Sequence, residues 1–439
     1  MRILHTSDLH LGRSLYGARR DDSFQKLLHW LCELIAERNI DCLVIAGDVF
    51  DNATPSHFAQ NLYYDFLTAV RGKTNCRHIV ITSGNHDSPS FLNAPQRLLS
   101  AIGVTVVGEA LSDPAGEALL LRDASGEPEA VVAAVPFLRE ADIRKSIEHE
   151  TDEQKDRQVI EGTRRHYREA VDGALALRKN CGRDDIPLIA TGHLFAAHCD
   201  CGTEERSLYI GSLGQIPADV FPEEIDYLAL GHLHRAQCLA GNAARRYAGS
   251  PLALDFGEGK QKSVVIAELT SAGEAPAIEL VPVPTFDRLE QVTGSLDEIL
   301  TRLQALADEN TPMFCEVIHD EGAYAPHLAQ VCRNALGQSP VALVRIMSRA
   351  VVENRISAED RISDVHTLTP EAMFELKLER TPDLTDEDRE GLRRAYAQVL
   401  FEIRNDDAEE TTENAAESTP EKTVESAVGN NAESAAPGA

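Results

Sequence analysis

Five short apolar runs in this chain each end in side chains that can bind a cation. Arg2-Ile3-Leu4-His5 leads to Asp8 and His10, and Cys42–Ala46 leads to Gly47-Asp48 and then Asp51. Ile79–Thr82 leads to Gly84-Asn85-His86-Asp87, Leu188–Ala190 to Gly192-His193, and Tyr227–Leu230 to Gly231-His232-Leu233-His234. Mixed imidazole, carboxylate and amide oxygen donors without a thiolate suit Mn, Fe, Co or Zn better than Mg or Ca alone. Asp8, His10, Asp48, Asn85, His193, His232 and His234 are too many donors for one ion. They suit two ions about 3.5–4 Å apart that share a carboxylate. A single buried histidine is more often a satisfied core residue than a ligand. What carries the argument is that all of these donors follow strand-like runs.

If those runs are strands of one layered sheet system, their ends meet along one edge, where α/β folds place their sites. The glycines before Asp48, Asn85, His193 and His232 would give the sharp exits such loops need. Helical spacing of Phe24, Leu27, Leu28, Leu31, Leu34 and Ile35 predicts a helix over 23–39, linking two strands. This α/β pattern runs to about residue 280. Within it, 139–180 reads as polar and helical, its arginines interleaved with acids, and is expected to be a solvated face. A smaller α/β module is expected over 281–364, with strands at 286–292, 313–318 and 341–347 and helices carrying Leu296–Leu303 and residues 325–335. Two helices follow over 365–404, the first opening with Pro370 at its first position.

Composition bounds the rest. The 439 residues include 42 Lys and Arg against 71 Asp and Glu, a net charge of −29. A uniformly acidic surface repels phosphate backbones, so the chain is not expected to wrap nucleic acid with its whole surface. The charge is uneven. Residues 1–110 hold eleven acids and ten bases, whereas 405–439 hold nine acids and one base and lack aromatics, as expected of a disordered acidic tail. No stretch approaches a membrane span, and the N-terminus lacks the features of a signal peptide. The nine cysteines are scattered and several sit in apolar runs, as buried thiols of a cytoplasmic protein would. Cys199-Asp200-Cys201 beside His198 is a weaker zinc candidate, because no second Cys pair has zinc-finger spacing.

Asp8-x-His10, Gly47-Asp48-x-x-Asp51, Gly84-Asn85-His86-Asp87, Gly192-His193 and Gly231-His232-x-His234 resemble the signature of the calcineurin-like metallophosphoesterases. The wider stretches His5–Gly12, Ala46–Asp51, Ser83–Pro89 and Tyr247–Pro251 are similar to the branch of nuclease subunits that work with an SbcC-type ATPase. The likeness covers about residues 1–404. It implies a β-sandwich flanked by helices, a small capping domain and C-terminal helices. It also implies Mn²⁺ held by Asp8, His10, Asp48 and His234, and a second Mn²⁺ held by Asp48, Asn85, His193 and His232. His86 would then assist the leaving oxygen, with the Asp51 carboxylate orienting it. A phosphodiester is anionic and resists hydroxide; paired cations offset that charge and acidify a water. The implied activity is 3′→5′ exonuclease and endonuclease action on double-stranded DNA ends and hairpins, in DNA repair and recombination. The implied partners are the ATPase, clasped by the helix pair, and a second copy through the nuclease domain, giving a heterotetramer. Arg13, Arg19, Arg20, Arg245 and Arg246 are the candidate DNA contacts. The competing reading is a phosphoprotein phosphatase or small-nucleotide phosphodiesterase. Against the first, Asn52-Ala53-Thr54 lacks the Arg-Gly usual in that group and Asp87 stands where Glu is usual; against the second stands the extra module.

Overall fold

A run of five buried residues, Cys42–Ala46, forms strand β2, and its neighbours in the chain supply the partners it needs. In chain order the strands are β1 (Arg2–Thr6), β2 (Cys42–Ala46), β3 (His78–Thr82), β4 (Val104–Val107), β5 (Ala118–Arg122), β6 (Pro128–Ala133), β7 (Leu188–His193), β8 (Tyr227–Gly231), β9 (Gln237–Leu239), β10 (Asn242–Tyr247), β11 (Ser263–Glu268), β12 (Ala277–Pro282), β13 (Leu289–Gly294), β14 (Met313–His319) and β15 (Val341–Ser348). The computed structural model describes residues 1–144, 150–196, 199, 216–258, 261–320 and 328–349, with 374, 391–393 and 396 beyond them. The chain divides into two compact units, Met1–Ser363 and Asp364–Ala439.

Two six-stranded mixed sheets make the body of the first unit, in the orders β12-β11-β1-β2-β3-β4 and β5-β6-β7-β8-β10-β9. Strands β1 to β4 run parallel, as do β6 to β8, so the C-terminal ends within each sheet share an edge. The two sheets face each other across Ile3, Val44, Val80, Val132, Ile189, Ala229 and Val265, a wholly apolar layer. This is the layered α/β sandwich implied by the sequence.

Helices cover the outer faces. Asp21–Glu37 and His57–Lys73 bury Phe24, Leu27, Leu31, Tyr63, Phe66 and Val70 against the first sheet. The second of these starts at Ser56, whose side chain accepts from the Ala59 N–H. Asp152–Asn180 packs Tyr167, Ala170, Val171 and Ala174 on the second sheet. Its arginines and those just before it are engaged with acids: Arg139 with Asp142, Arg144 with Glu140 and Glu150, Arg164 with Asp219, and Arg168 with Asp172 and Glu224. That pattern is a solvated, self-neutralised face.

The module after β12 is a parallel three-stranded sheet, β13-β14-β15, with helices Leu296–Asp308 and Leu328–Leu336. Ile299, Leu303, Leu306, Val317 and Cys332 form its own core. In the second unit, the described positions 374, 391–393 and 396 are helical, and Phe374 stacks on Tyr396 with ring centroids 3.9 Å apart. The rest of the expected helix pair, the acidic tail and most of the Cys199–Cys201 candidate lie outside the described residues. Among those described, no helix is long and apolar enough to cross a membrane.

Candidate metal centre

The loops leaving β1 and β2 are zipped together by their backbones. Asp8 N–H donates to Gly47 O at 3.0 Å, His10 N–H to Asp48 O at 3.0 Å, and Leu11 N–H to Val49 O at 2.9 Å. Asp8, His10, Asp48 and His232 all have positive φ, at 53°, 43°, 50° and 98°. Such a conformation costs about 1–3 kcal/mol per non-glycine residue and persists where surrounding contacts enforce it, typically at functional sites. The glycines act in a way their place in the sequence does not reveal. Of those before the donors, only Gly47 has positive φ. Gly84 and Gly231 are needed for close approach: a Cβ would stand 2.1 Å from Asp48 Oδ1 at the first and 1.9 Å from Ala46 O at the second.

All seven expected donors come together. The imidazoles form two clusters: His10 has ring centroids 4.8 Å from His86 and 5.2 Å from His234, while His193 and His232 are 5.1 Å apart. Between the clusters sits Asp48, whose Oδ2 lies 3.5 Å from His10 Nε2 and 3.3 Å from His193 Nε2. Asn85 Oδ1 is 3.0 Å from both His193 Nε2 and His232 Nδ1. Asp8 accepts from the His232 N–H at 3.0 Å and joins His10 and His234 in one set of donor atoms, and Asp48 and His193 in another, each within 4.8 Å of one another. His86 also falls in such a set, with His10 and Asp48.

Tautomers follow from the partners, because a carbonyl can only accept. His193 Nδ1 donates to Ala46 O at 3.0 Å, and His86 Nδ1 donates to Asp51 O at 3.0 Å. His234 Nδ1 donates to Glu258 Oε1 at 2.9 Å. In its neutral form His193 therefore turns an Nε2 lone pair toward the Asn85 amide oxygen and the Asp48 carboxylate. Three electron-rich atoms converge on one point, which demands a cation. In the molecule without metal that cation is a proton. Burial opposes it, yet the Asp48 carboxylate pushes His193 up to about 9. Burial likewise works against Asp48, but His193, His10 and His86 hold its carboxyl well below the usual range. His232 is held neutral, by burial first and by His193 second. Both ring nitrogens of His10 are buried and make no hydrogen bond among the described residues. Orphaned imidazole nitrogens and converging acceptors fit divalent ions, with a positive balance left over for phosphate.

Three supporting contacts have no mark in the sequence. Glu258 holds His234, and burial notwithstanding, His234 and Lys262 keep its carboxyl down at about 2. Asp87 receives the N–H groups of Val49 at 3.1 Å, Phe50 at 2.9 Å and Gly84 at 2.9 Å, binding the Asp48 loop to the Asn85 loop. Its carboxyl is pushed up to about 6, first by burial and then by Asp48. Asp51 is corrected in role: its main-chain oxygen, not its carboxylate, meets His86, while the carboxylate lies 3.4 Å from His10 Nδ1 and 3.3 Å from Arg13. The arginine candidates also change. Arg20 is buried against Asp287 at 2.6 Å, Arg246 is buried, and Arg245 is half-buried with donors on Phe221 O and Pro222 O. Arg19 pairs with Asp21 on the surface.

Strand ends carrying such a donor set define a metallophosphoesterase, and the calcineurin-like phosphoesterase profile matches residues 1–236. Residues 285–382 match the profile of the type 5 capsule protein repressor C-terminal domain. The chain is 31% identical over 406 residues to SbcD, the nuclease component of SbcCD, from Escherichia coli strain K12, covering 92% of this chain and 98% of that one. It is 37% identical over 320 residues to SbcD of Rhodobacter capsulatus, covering 71% and 77%, and 34% identical over 317 residues to SbcD of Bacillus subtilis, covering 68% and 76%. The chain belongs to the SbcD nuclease family of calcineurin-like phosphoesterases, and is a metal-dependent phosphodiester hydrolase.

Proposed function

We propose that the chain is a Mn²⁺-dependent DNA nuclease, cutting double-stranded ends 3′→5′ and opening hairpins, as the nuclease component of an SbcC-type ATPase complex. The observation that carries the reading is the convergence of Asn85 Oδ1, Asp48 Oδ2 and His193 Nε2, matched across Asp48 by the His10 cluster. Asp8, His10, Asp48 and His234 would hold one ion, and Asp48, Asn85, His193 and His232 the other. When bound, the ions supply charge neutralisation of the phosphate and activation of water. The protein's own part is orientation and proton delivery. His86 has Nδ1–H fixed on the Asp51 carbonyl, which leaves Nε2 to pass a proton to the departing 3′ oxygen, worth about 10²–10⁴-fold in rate. Asp51 adds to the site by its carboxylate against His10 and Arg13.

Under the same reading residues 1–280 are the nuclease domain, 281–364 cap it, 365–404 grip the ATPase, and 405–439 form a passive tail in a cytoplasmic enzyme. The exposed apolar side chains Leu98 and Ile102 offer a surface for the second nuclease copy of a heterotetramer. The test is cleavage of hairpin and linear duplex DNA in Mn²⁺ against Mg²⁺, with and without the ATPase and ATP. Cleavage in Mn²⁺, with deletion of 370–404 abolishing co-purification of the ATPase, supports the reading. Inactivity on every DNA, with turnover of a phosphoprotein or cyclic nucleotide, contradicts it.

A further inference from the structure

The turn that follows the His10 loop is unusually tight. Leu15 and Ala18 exchange backbone hydrogen bonds at 2.9 Å in both directions, and the two residues between them, Tyr16 and Gly17, have φ of 49° and 87°. Positive φ at both central positions is the geometry of a two-residue hairpin turn whose side chains are held at the apex. Tyr16 has both faces covered. The Arg345 guanidinium of β15 lies over its ring, 3.8 Å from the centroid, and Phe256 stacks at 6.1 Å and 14°. Its hydroxyl donates to Asp255 Oδ1 at 2.5 Å. A ring filled on both sides is a strut and leaves no face for a nucleobase.

Arg345 is anchored from behind. It pairs with Glu316 of β14, a fully buried acid that also accepts from Gln291 Nε2 at 2.7 Å. In front of it, Asp255 and Phe256 belong to a short loop that also carries Glu258. The Glu258 N–H donates to Asp255 O at 3.2 Å, and Glu258 Oε2 accepts from Leu254 N–H at 3.0 Å. Glu258 Oε1 in turn holds His234 Nδ1 at 2.9 Å. An unbroken run of contacts thus links the buried acid of the small module to a candidate metal ligand: Glu316, Arg345, Tyr16 and Asp255, Glu258, His234.

We propose that Arg345 and Tyr16 are positioning residues for the metal centre. Through the Asp255–Glu258 loop they set the His234 imidazole, so the small module governs affinity at the ion position that includes His234 and leaves the other position alone. The inference rests on the two-ion reading given above. Arg345 is suited to the task because a planar guanidinium can stack on Tyr16 and pair with Glu316 at once, which an ammonium does less well.

The test counts and titrates Mn²⁺ on the full chain, by calorimetry with electron paramagnetic resonance, for the wild type, Arg345→Met and Tyr16→Leu. Tyr16→Leu leaves the Glu316–Arg345 pair in place, so it reads the coupling even if Arg345→Met unfolds the module by stranding a buried acid. Loss of a partner of a ligating histidine lowers metal affinity about 10–100-fold, and one step further out the expected loss is about tenfold at one ion, with the other within twofold. Both affinities within twofold of wild type in folded Tyr16→Leu overturn the proposal, as does an equal loss at both positions. A wild-type chain that takes up fewer than two ions sinks the two-ion reading and the proposal with it, an outcome distinct from failure of the coupling alone.

Discussion

The two halves of the metal centre are oriented by different means. His193, at the end of β7, is aimed by a main-chain carbonyl, Ala46 O, belonging to the central strand of the opposite sheet. His234, past the end of β8, is aimed by a side chain, Glu258, on a loop that is itself fastened by Ser250, Lys262 and the module's Arg345 through Asp255. The first half is as rigid as the sandwich that makes it. The second depends on a chain of side-chain contacts, each removable by one substitution. Asp48 stands between, touching both.

That contrast fixes an order of effects. The largest belongs to the shared residue. Asp48→Asn is expected to lower duplex cleavage by more than about 10³-fold, some 4 kcal/mol of transition-state stabilisation, and to weaken both ions. Weakening of one ion only would show that Asp48 is not shared. Next is Asp87→Ala, which strands three backbone N–H groups between the Asp48 and Asn85 loops. A loss of about 3 kcal/mol or more in denaturant unfolding is expected at about 1–3 kcal/mol per buried unsatisfied group. A loss below about 1 kcal/mol would mean water takes over Asp87's role. Glu258→Gln comes third: one ion weakened about 10–100-fold, the other unchanged. Equal weakening at both would erase the distinction between a carbonyl-aimed and a side-chain-aimed half.

The smallest effect lies outside the centre. His5, wholly buried against Tyr227, is held down at about 3, by burial first and Arg246 second. Its unfolded value is near 6.5, so between these limits the unfolded chain binds a proton that the folded chain does not. Stability from His5 is therefore complete above about pH 6.5 and declines as pH falls toward 3, by up to about 1.4 kcal/mol per unit. His5→Phe should flatten unfolding free energy against pH between about 6 and 4 in metal-free protein. An unchanged slope would assign the acid sensitivity elsewhere.

The same contrast explains what the sequence disclosed. Ligand loops are local: a strand, a glycine and a donor within a few residues, so Asp8, His10, Asp48, Asn85, His193, His232 and His234 could all be named before any fold was known. The β2 strand was legible to the residue, and the first helix, expected over 23–39, runs over Asp21–Glu37. What escaped was non-local. The interleaving of late strands β11 and β12 into the first sheet follows from pairing that no short pattern encodes. Glu258 reaches His234 across 24 residues, and nothing in its own neighbourhood marks it. Arg20 and Arg246 look in the sequence like surface bases beside a site, and only the fold shows them buried. Asp51 was singled out as a carboxylate, but the atom that meets His86 is its main-chain oxygen, which every residue has.

The central claim is a two-ion centre in which His86 serves the leaving oxygen without holding metal. Counting bound Mn²⁺ per chain in wild type and His86→Ala, alongside cleavage of linear duplex DNA, tests it most directly. The account predicts two ions in both proteins and cleavage lowered by about 10²–10⁴-fold in the variant. An ion lost along with activity in His86→Ala would make His86 a ligand, completing the donor set it forms with His10 and Asp48, and would contradict the account.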